Sequence, residues 1–380
     1  MAGIANADLI DLIATTLPQL PEQYFEVTWT NNDYEACRIY QRDRMEVDGG
    51  TSIKRKVMFS NTGNARYRRL FDTDDPAVSD VMVEIDVPWT QIGTHYSWDI
   101  LELKRNQSAR GFIRLLETRR IDGLWSLADL IEERFWMTPD STTDDLHPYG
   151  VPYYLNMCNP SITGSGWLGK RVVFQDRSHS LTCAGISTAT ESKWANAAGT
   201  YTAVNNAMLE TFRTLFMMTK FKAPLILNDP AQARNAAKRV YANLETTVKL
   251  QVLADARDDF HRGKDVLGNI RIDDSATVYL NRLPVIYINE LDSAVVGMAT
   301  YSTGATNEPD PIYCVDFEKF IPYVQDGYWM EETEPISGGV TQHTTFTVFL
   351  DGSHNNLCVN RRKAGFVIHK PIVGTEPPDA

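Results

Sequence analysis

Gly164-Ser165-Gly166-Trp167-Leu168-Gly169 matches G-x-G-x-x-G, a spacing that lets backbone N–H groups cradle a phosphate when a strand leads in and a helix opens out. Here a Pro-containing stretch precedes it and Arg171–Phe174 reads as a strand, so nucleotide binding is not expected. The seven histidines form no H-x-x-x-H or H-E-x-x-H pattern, which disfavours a zinc hydrolase. Asp255, Asp258 and Asp259, with Asp273 and Asp274, have the chemistry to hold a divalent cation or to act as an acid–base pair. Solvated loop and helix-end charges are the plainer reading of the same residues. Neither a G-x-S-x-G elbow nor a Walker-type lysine loop is present. Five cysteines, widely spaced and without a C-x-x-C pair, read as reduced thiols in cores. Trp125, Trp136, Trp167, Trp194 and Trp329 share no spacing and read as packing residues. The expectation is a protein that is not an enzyme, with no catalytic residue, cofactor or bound metal.

Charge and hydropathy narrow the partners. A formal net charge of -12 over 380 residues speaks against tight, sequence-independent DNA binding, which needs Lys and Arg at phosphates. It suits a wall that encloses DNA without sticking to it. No apolar run is long enough to span a bilayer and no leader pattern opens the sequence, so a cytoplasmic site of synthesis and no membrane partner are expected.

The elements that would carry any interaction are unusual in their charge. From Arg38 to Arg69 there are nine basic residues against three acidic ones; from Asp72 to Asp86 there are six acidic residues and no basic one. Val81, Val83, Ile85 and Val87 alternate with Met82, Glu84 and Asp86, the period of a two-faced strand, and Ile53–Phe59 is its expected partner. The long polar connection between them marks a projecting two-stranded loop. Opposite charges on its limbs would let the loop of one molecule lie on the next. The other reading is a solvated hairpin whose charges do nothing specific.

Ser108 to Met137 carries the strongest helix signal. Ile121, Leu124, Ala128, Ile131 and Phe135 recur at spacings of three and four and are expected on one buried face, with Pro139 as terminator. Residues 1–35 read as an arm. Further helices are expected at Asn205–Lys220, with Asn205 or Asn206 as cap, and from Asp229-Pro230 onward through Ala233, Ala237, Val240, Leu244 and Val248. Strands are expected at Ile270–Ile272, Thr277–Leu280, Pro284–Ile288, Ile312–Phe317, His343–Leu350 and Leu357–Lys370. The long helix precedes this α/β unit and the last strands follow it, the chain order of an inserted domain.

Several phrases in order carry a resemblance. They are Ser97-Trp98-Asp99-Ile100-Leu101-Glu102-Leu103 before the long helix, Pro139-Asp140 after it, and Ile186-Ser187-Thr188 through Lys193-Trp194-Ala195-Asn196. Pro311-Ile312-Tyr313-Cys314-Val315-Asp316 and Asn355-Asn356-Leu357-Cys358-Val359-Asn360-Arg361-Arg362 follow. Over nearly its whole length the chain resembles the major capsid proteins of tailed bacteriophages, with their Hong-Kong-97-type fold, which encapsulin compartments share. The resemblance implies an α+β fold divided into an N-terminal arm (1–37), an extended loop with flanking strands (38–98), a peripheral domain with a spine helix (99–149), an axial α/β domain (150–330), and closing peripheral strands with a tail (331–380). It implies assembly of the chain with itself, through hexamers and pentamers, into an icosahedral virion shell around double-stranded DNA, built in the host cytoplasm. A separate scaffolding protein, a portal protein and a decoration protein are the implied partners. On this reading the inter-subunit contacts fall on Lys54, Arg55, Lys56, Arg66, Arg68, Arg69, Asp72, Asp74, Asp75 and Glu84 of the loop. Arg114, Arg119 and Glu132 offer partners on the spine. Some relatives weld subunits through a Lys–Asn isopeptide bond, for which Lys54 or Lys56 with Asn356 or Asn360 are residues of the right type, Lys56 and Asn356 being the pair named here. The alternatives are an encapsulin-like shell with enzyme cargo and a soluble metal-dependent enzyme using the Asp255–Asp274 cluster.

Overall fold

The computed structural model describes residues 34–60, 63–70, 81–105, 109–159, 162–220, 238–258, 270–272, 278–292, 309–338 and 342–371. Its main elements, in chain order, begin with α1 (Glu35–Arg42), β1 (Met45–Val47), β2 (Ser52–Met58), β3 (Met82–Pro88), β4 (Thr90–Asp99) and the long helix α2 (Ala109–Phe135). There follow β5 (Ser165–Gly169), β6 (Asn196–Thr200), α3 (Asn206–Met218), β7 (Lys238–Ala242), α4 (Leu244–Asp258), β8 (Ile270–Ile272), β9 (Val278–Leu280) and β10 (Leu283–Tyr287). The last are β11 (Ile312–Asp316), β12 (Phe320–Gln325), β13 (Glu331–Glu332), β14 (Ile336–Gly338), β15 (Gln342–Cys358) and β16 (Gly365–His369).

Two sheets organise the chain. An eight-stranded sheet runs β8-β9-β10-β7-β11-β16-β6-β5, with β7 parallel to β10 and β16 parallel to β6. Its central strands β11 and β16 are buried along their whole length, as expected of strands covered on both faces. A six-stranded sheet is built on the 17-residue strand β15, which pairs antiparallel with β4 from Thr345↔Asp99 to His354↔Thr90 and also with β12, β13 and β14; β1 adds to β12. Phe135, Trp136, Tyr154, Tyr241, Phe317 and Phe320 meet edge to face where α2 ends between the sheets, within one continuous core.

α2 lies over β4 and α1. Leu127, Ile131 and Phe135, four residues apart, form its buried stripe, and Gly123 lets the upper part approach Thr94 and Tyr96 of β4. Ile121 and Leu124, expected on that stripe, are instead 51% and 38% exposed. Among the described residues α1, with Tyr34 just before it, meets α2 between Trp125 and Phe135, so Ile121 one turn higher has no roof from it. The helix also begins after a separate short turn of helix, Ile100–Arg105.

Other expectations are corrected in the same physical terms. Val240 lies in β7, between β10 and β11 at the middle of the large sheet, so the helix expected to run through it begins only at Leu244, where the Asn243 side chain accepts from the Thr246 N–H. His343–Leu350 and Leu357 are one strand, because pairing with β4 continues through Asp351-Gly352-Ser353. The closing strands divide between the sheets: β15 belongs with β4, whereas β16 is central in the eight-stranded sheet and β12, placed by sequence with the α/β unit, joins β15. The sheet memberships therefore do not follow the expected boundary at residue 330.

Candidate assembly surface

β2 and β3 pair antiparallel with Ile53 opposite Val87, Lys54 opposite Asp86 and Lys56 opposite Glu84. Alternation puts Ile53, Ile85 and Val87 on the face that packs into the core and Lys54, Lys56, Glu84 and Asp86 on the solvent face. The base of the hairpin is thus anchored on its own chain. Lys193 donates from Nζ to the Phe59 carbonyl at 2.9 Å, and Phe59 packs edge-on against Trp194. Arg55, from the inward face, reaches the Tyr323 hydroxyl at 3.3 Å and lies over the Tyr323 ring.

The opposed charges of the base satisfy one another. Lys54 Nζ sits 3.2 Å from Glu84 and 3.5 Å from Asp86, contacts that raise the lysine pKa, led by the Glu84 hydrogen bond. The connecting segment differs: residues 63–70 are exposed throughout, Tyr67 and Leu70 being 105% and 86% exposed among Arg66, Arg68 and Arg69. Asp72, Asp74 and Asp75 lie outside the described residues.

On α2, Arg119 makes a two-pronged ion pair with Glu102 at 2.8 and 2.9 Å and also donates to the Ser97 carbonyl, so its guanidinium is used within the chain. Arg114 belongs to the described backbone of α2; its side chain lies outside the described residues. Glu132 is wholly buried, accepting from the Ala36 N–H and from Trp136 Nε1, and cannot meet a neighbour. Burial pushes its pKa up to about 7, against the lowering effect of those two donors. Asn356 is equally buried: its Oδ1 accepts from Tyr40 and its Nδ2 donates to the Tyr149 carbonyl. A side chain so committed does not present its amide to Lys56, and the proposed weld at Asn356 is withdrawn. What α2 does offer outward is Ile121 and Leu124, flanked by exposed Glu117 and Asp122.

The other sequence candidates resolve as follows. Ser165–Gly169 is an edge strand beside β6, and the space where a Cβ of Gly169 would stand is filled by the Asn196 amide, so the glycine pattern is a packing feature. Asp255 and Asp258 belong to the described backbone of α4, while Asp259, Asp273 and Asp274 lie outside the described residues. A trio that sequence spacing did not single out, Asp140, Asp144 and His147, brings three potential ligands together. It is satisfied internally: Arg134 holds Asp140 at 2.8 Å and His147 Nδ1 lies 2.7 Å from Asp144, which also accepts the N–H groups of Asp140 and Leu146. The exposure of Tyr67 and Leu70 was likewise not singled out, since two apolar residues in a polar loop carry no periodic signal.

No protein-family model matches the chain, and no curated protein matches it significantly in sequence. Solved structures do match. The capsid asymmetric unit of cyanophage A-1(L) superposes with a TM-score of 0.57 at 12% identity, covering 94% of this chain and 98% of that one. The capsid of a native GTA particle gives 0.52 at 12% identity, over 93% and 95% of the two chains. The mature capsid of bacteriophage PhiM1 gives 0.50 at 8% identity, over 94% and 93%. Sequence identities this low leave a common backbone plan, and on that measure the chain has the α+β fold of phage capsid chains.

Proposed function

We propose that the chain is the major capsid protein of a tailed phage, a shell-building protein and not an enzyme. The observation that carries this is coverage: the likeness to capsid chains extends over more than nine-tenths of both partners. In the vocabulary of the Hong-Kong-97-type fold, α2 is the spine helix, the hairpin β2–β3 with its connection is the extended loop, the six-stranded sheet is peripheral and the eight-stranded sheet is axial. Copies of the chain meet in hexamers and pentamers and close an icosahedral virion shell around double-stranded DNA. A separate scaffolding protein and a portal protein complete assembly in the host cytoplasm.

The contact between copies is read from complementarity. Tyr67 and Leu70, with Arg66, Arg68 and Arg69, would lie on Ile121 and Leu124 of a neighbour, whose Glu117 and Asp122 supply the opposite charge. Electron microscopy and light scattering of the purified product, with its scaffold if one is needed, test the reading. Closed particles of megadalton mass are expected from the natural sequence, and folded but unassembled chains from a Tyr67→Ala, Leu70→Ala double variant. A natural chain that stays a small oligomer in every co-expression overturns the proposal.

A further inference from the structure

The described chain enters its body at Tyr34, and three residues on one side of α2 receive it. Trp125 Nε1 donates to the Tyr34 hydroxyl at 2.7 Å, that hydroxyl donates to Asp129 at 2.7 Å, and the Ala36 N–H donates to Glu132 at 2.8 Å. Tyr34 itself holds a left-handed backbone, φ 48°, before α1 begins. The first turn of α1 therefore depends on a carboxyl group for one of the N–H groups that a helix start leaves unpaired.

That carboxyl is in an unusual position. It is fully buried, and among the described residues no lysine, arginine or histidine makes an ion pair with it. The groups around it are mostly of its own sign. From α1 comes Glu35, itself held by Arg38 at 3.5 Å, Arg239 at 3.6 Å and the Tyr241 hydroxyl at 3.3 Å. Asp129 and Glu133 are its neighbours on α2; Glu290 and Asp292 come from the 3-10 turn Asn289–Asp292. Asp292 is occupied by the Tyr287 hydroxyl and the Leu244 N–H, and Cys37 is a thiol that burial, together with the charges of Glu132 and Asp129, keeps protonated. Arg38 and Arg239 are the cations of this group among the described residues: Arg38 pairs with Glu35, and Arg239 is engaged by Glu35 and Asp43.

We propose that Glu132 is a proton-operated latch on the first turn of α1: neutral, it holds Tyr34–Cys37 against α2, and ionised, it favours opening of that turn so that water can reach the charge. Two backbone and indole donors stabilise the anion in part, but an anion without a cation in a buried site remains costly. Opening a single turn relieves it without unfolding the core beneath, because Ile39 and Tyr40 stay anchored one turn further on. Linkage fixes the sign. The closed turn binds the proton more tightly than the open one, so closure is strongest below the ordinary carboxylate pKa and weakens as pH rises towards about 7.

Hydrogen–deuterium exchange of the full chain, corrected for the intrinsic pH dependence of exchange, tests this. Protection of peptide 34–42 is expected to fall by roughly tenfold or more between pH 5 and pH 8 relative to peptide 206–218, which reports the core. In Glu132→Gln the ratio is expected to stay constant. Should that variant not fold, Glu35→Gln keeps the latch but removes a neighbouring anion, and the transition is expected to move to lower pH. A flat ratio in the natural protein, a slope that survives Glu132→Gln, or a midpoint unmoved by Glu35→Gln overturns the proposal.

Discussion

The Tyr40 hydroxyl donates to Oδ1 of Asn356 across 3.0 Å, tying α1 to the long strand β15 inside a closed core. The same Asn356 donates from Nδ2 to the Tyr149 carbonyl at 2.9 Å. One amide thus joins three segments far apart in sequence. Asn356→Ala strands a buried hydroxyl and a buried carbonyl, each costing about 1–3 kcal/mol. Chemical denaturation of the dissociated chain is expected to show a loss of roughly 2–4 kcal/mol. Boiled particles of the natural chain are expected to show no weld through Asn356, since its amide is buried and committed within the chain. A ladder of multiples that disappears in Asn356→Ala would contradict both statements.

Arg361 follows the same logic with a charge. Wholly buried, it donates to the carbonyls of Tyr154 at 2.9 Å and Trp194 at 2.8 Å and to Asn196 Oδ1 at 3.2 Å, while its guanidinium lies over the Trp194 ring. Three acceptors in different directions suit a planar fork and not a single ammonium. Arg361→Lys is therefore expected to lower stability by about 2–3 kcal/mol, comparable to losing two charge-assisted hydrogen bonds with partial compensation. A denaturation midpoint within error of the natural chain would sink this assignment.

These two residues mark how far sequence could reach. The hairpin was legible because Val83, Ile85 and Val87 alternate with charged residues, and the cap of α3 was legible as Asn205 or Asn206, between which the acceptance by Asn205 from the Met208 N–H decides. β7 was not legible, since Ala237, Val240 and Leu244 also fit a helical stripe and only the neighbours β10 and β11 decide for a strand. Asp351-Gly352-Ser353 fell between two expected strands, residue types that favour turns, yet β4 offers ten consecutive partners and the strand runs on. Of the assembly residues, charge could be counted in advance. Burial could not: Glu132 and Asn356 look like surface residues until α1 and β4 close over them.

Acid should destabilise the chain through two histidines. His354, packed edge-on between Tyr40 and Trp329, has its pKa lowered to about 4 by burial. His369 is lowered to about 4, again by burial, against the raising effect of the Lys370 carbonyl beside Nδ1. Its Nε2 already accepts from the Cys158 N–H, so a proton there would face a donor. Unfolded, each titrates near 6.5, so their contribution is complete above that pH and is lost as pH falls towards 4. Glu132 acts in the opposite sense, adding stability as pH falls from about 7 towards 4.5. Two groups against one leave a net loss of about 2 kcal/mol between pH 6.5 and 4.5. His354→Phe is expected to flatten the acid limb of a stability-against-pH series, and an unchanged limb would refute the role of that histidine.

The hairpin makes two separable predictions, because its base and its connecting segment use charge differently. Lys54 is matched within the chain by Glu84 and Asp86, all three in solvent, where ion pairs add little to stability. Exchanging the signs of all four facing residues, with Lys54→Glu, Lys56→Glu, Glu84→Lys and Asp86→Lys together, keeps the cross-strand pairs 54–86 and 56–84 attractive. Folding and particle formation are both expected to survive. Arg66, Arg68 and Arg69 lie on the exposed connecting segment together with Tyr67 and Leu70. Reversing these three to Glu is expected to leave the thermal transition of the dissociated chain unchanged and to abolish closed particles, since the segment would then meet Glu117 and Asp122 of its neighbour with like charge. If the base exchange blocks assembly while the reversal at 66, 68 and 69 permits it, the contact surface lies on the strands of the hairpin and the arrangement argued from Tyr67 and Leu70 is wrong.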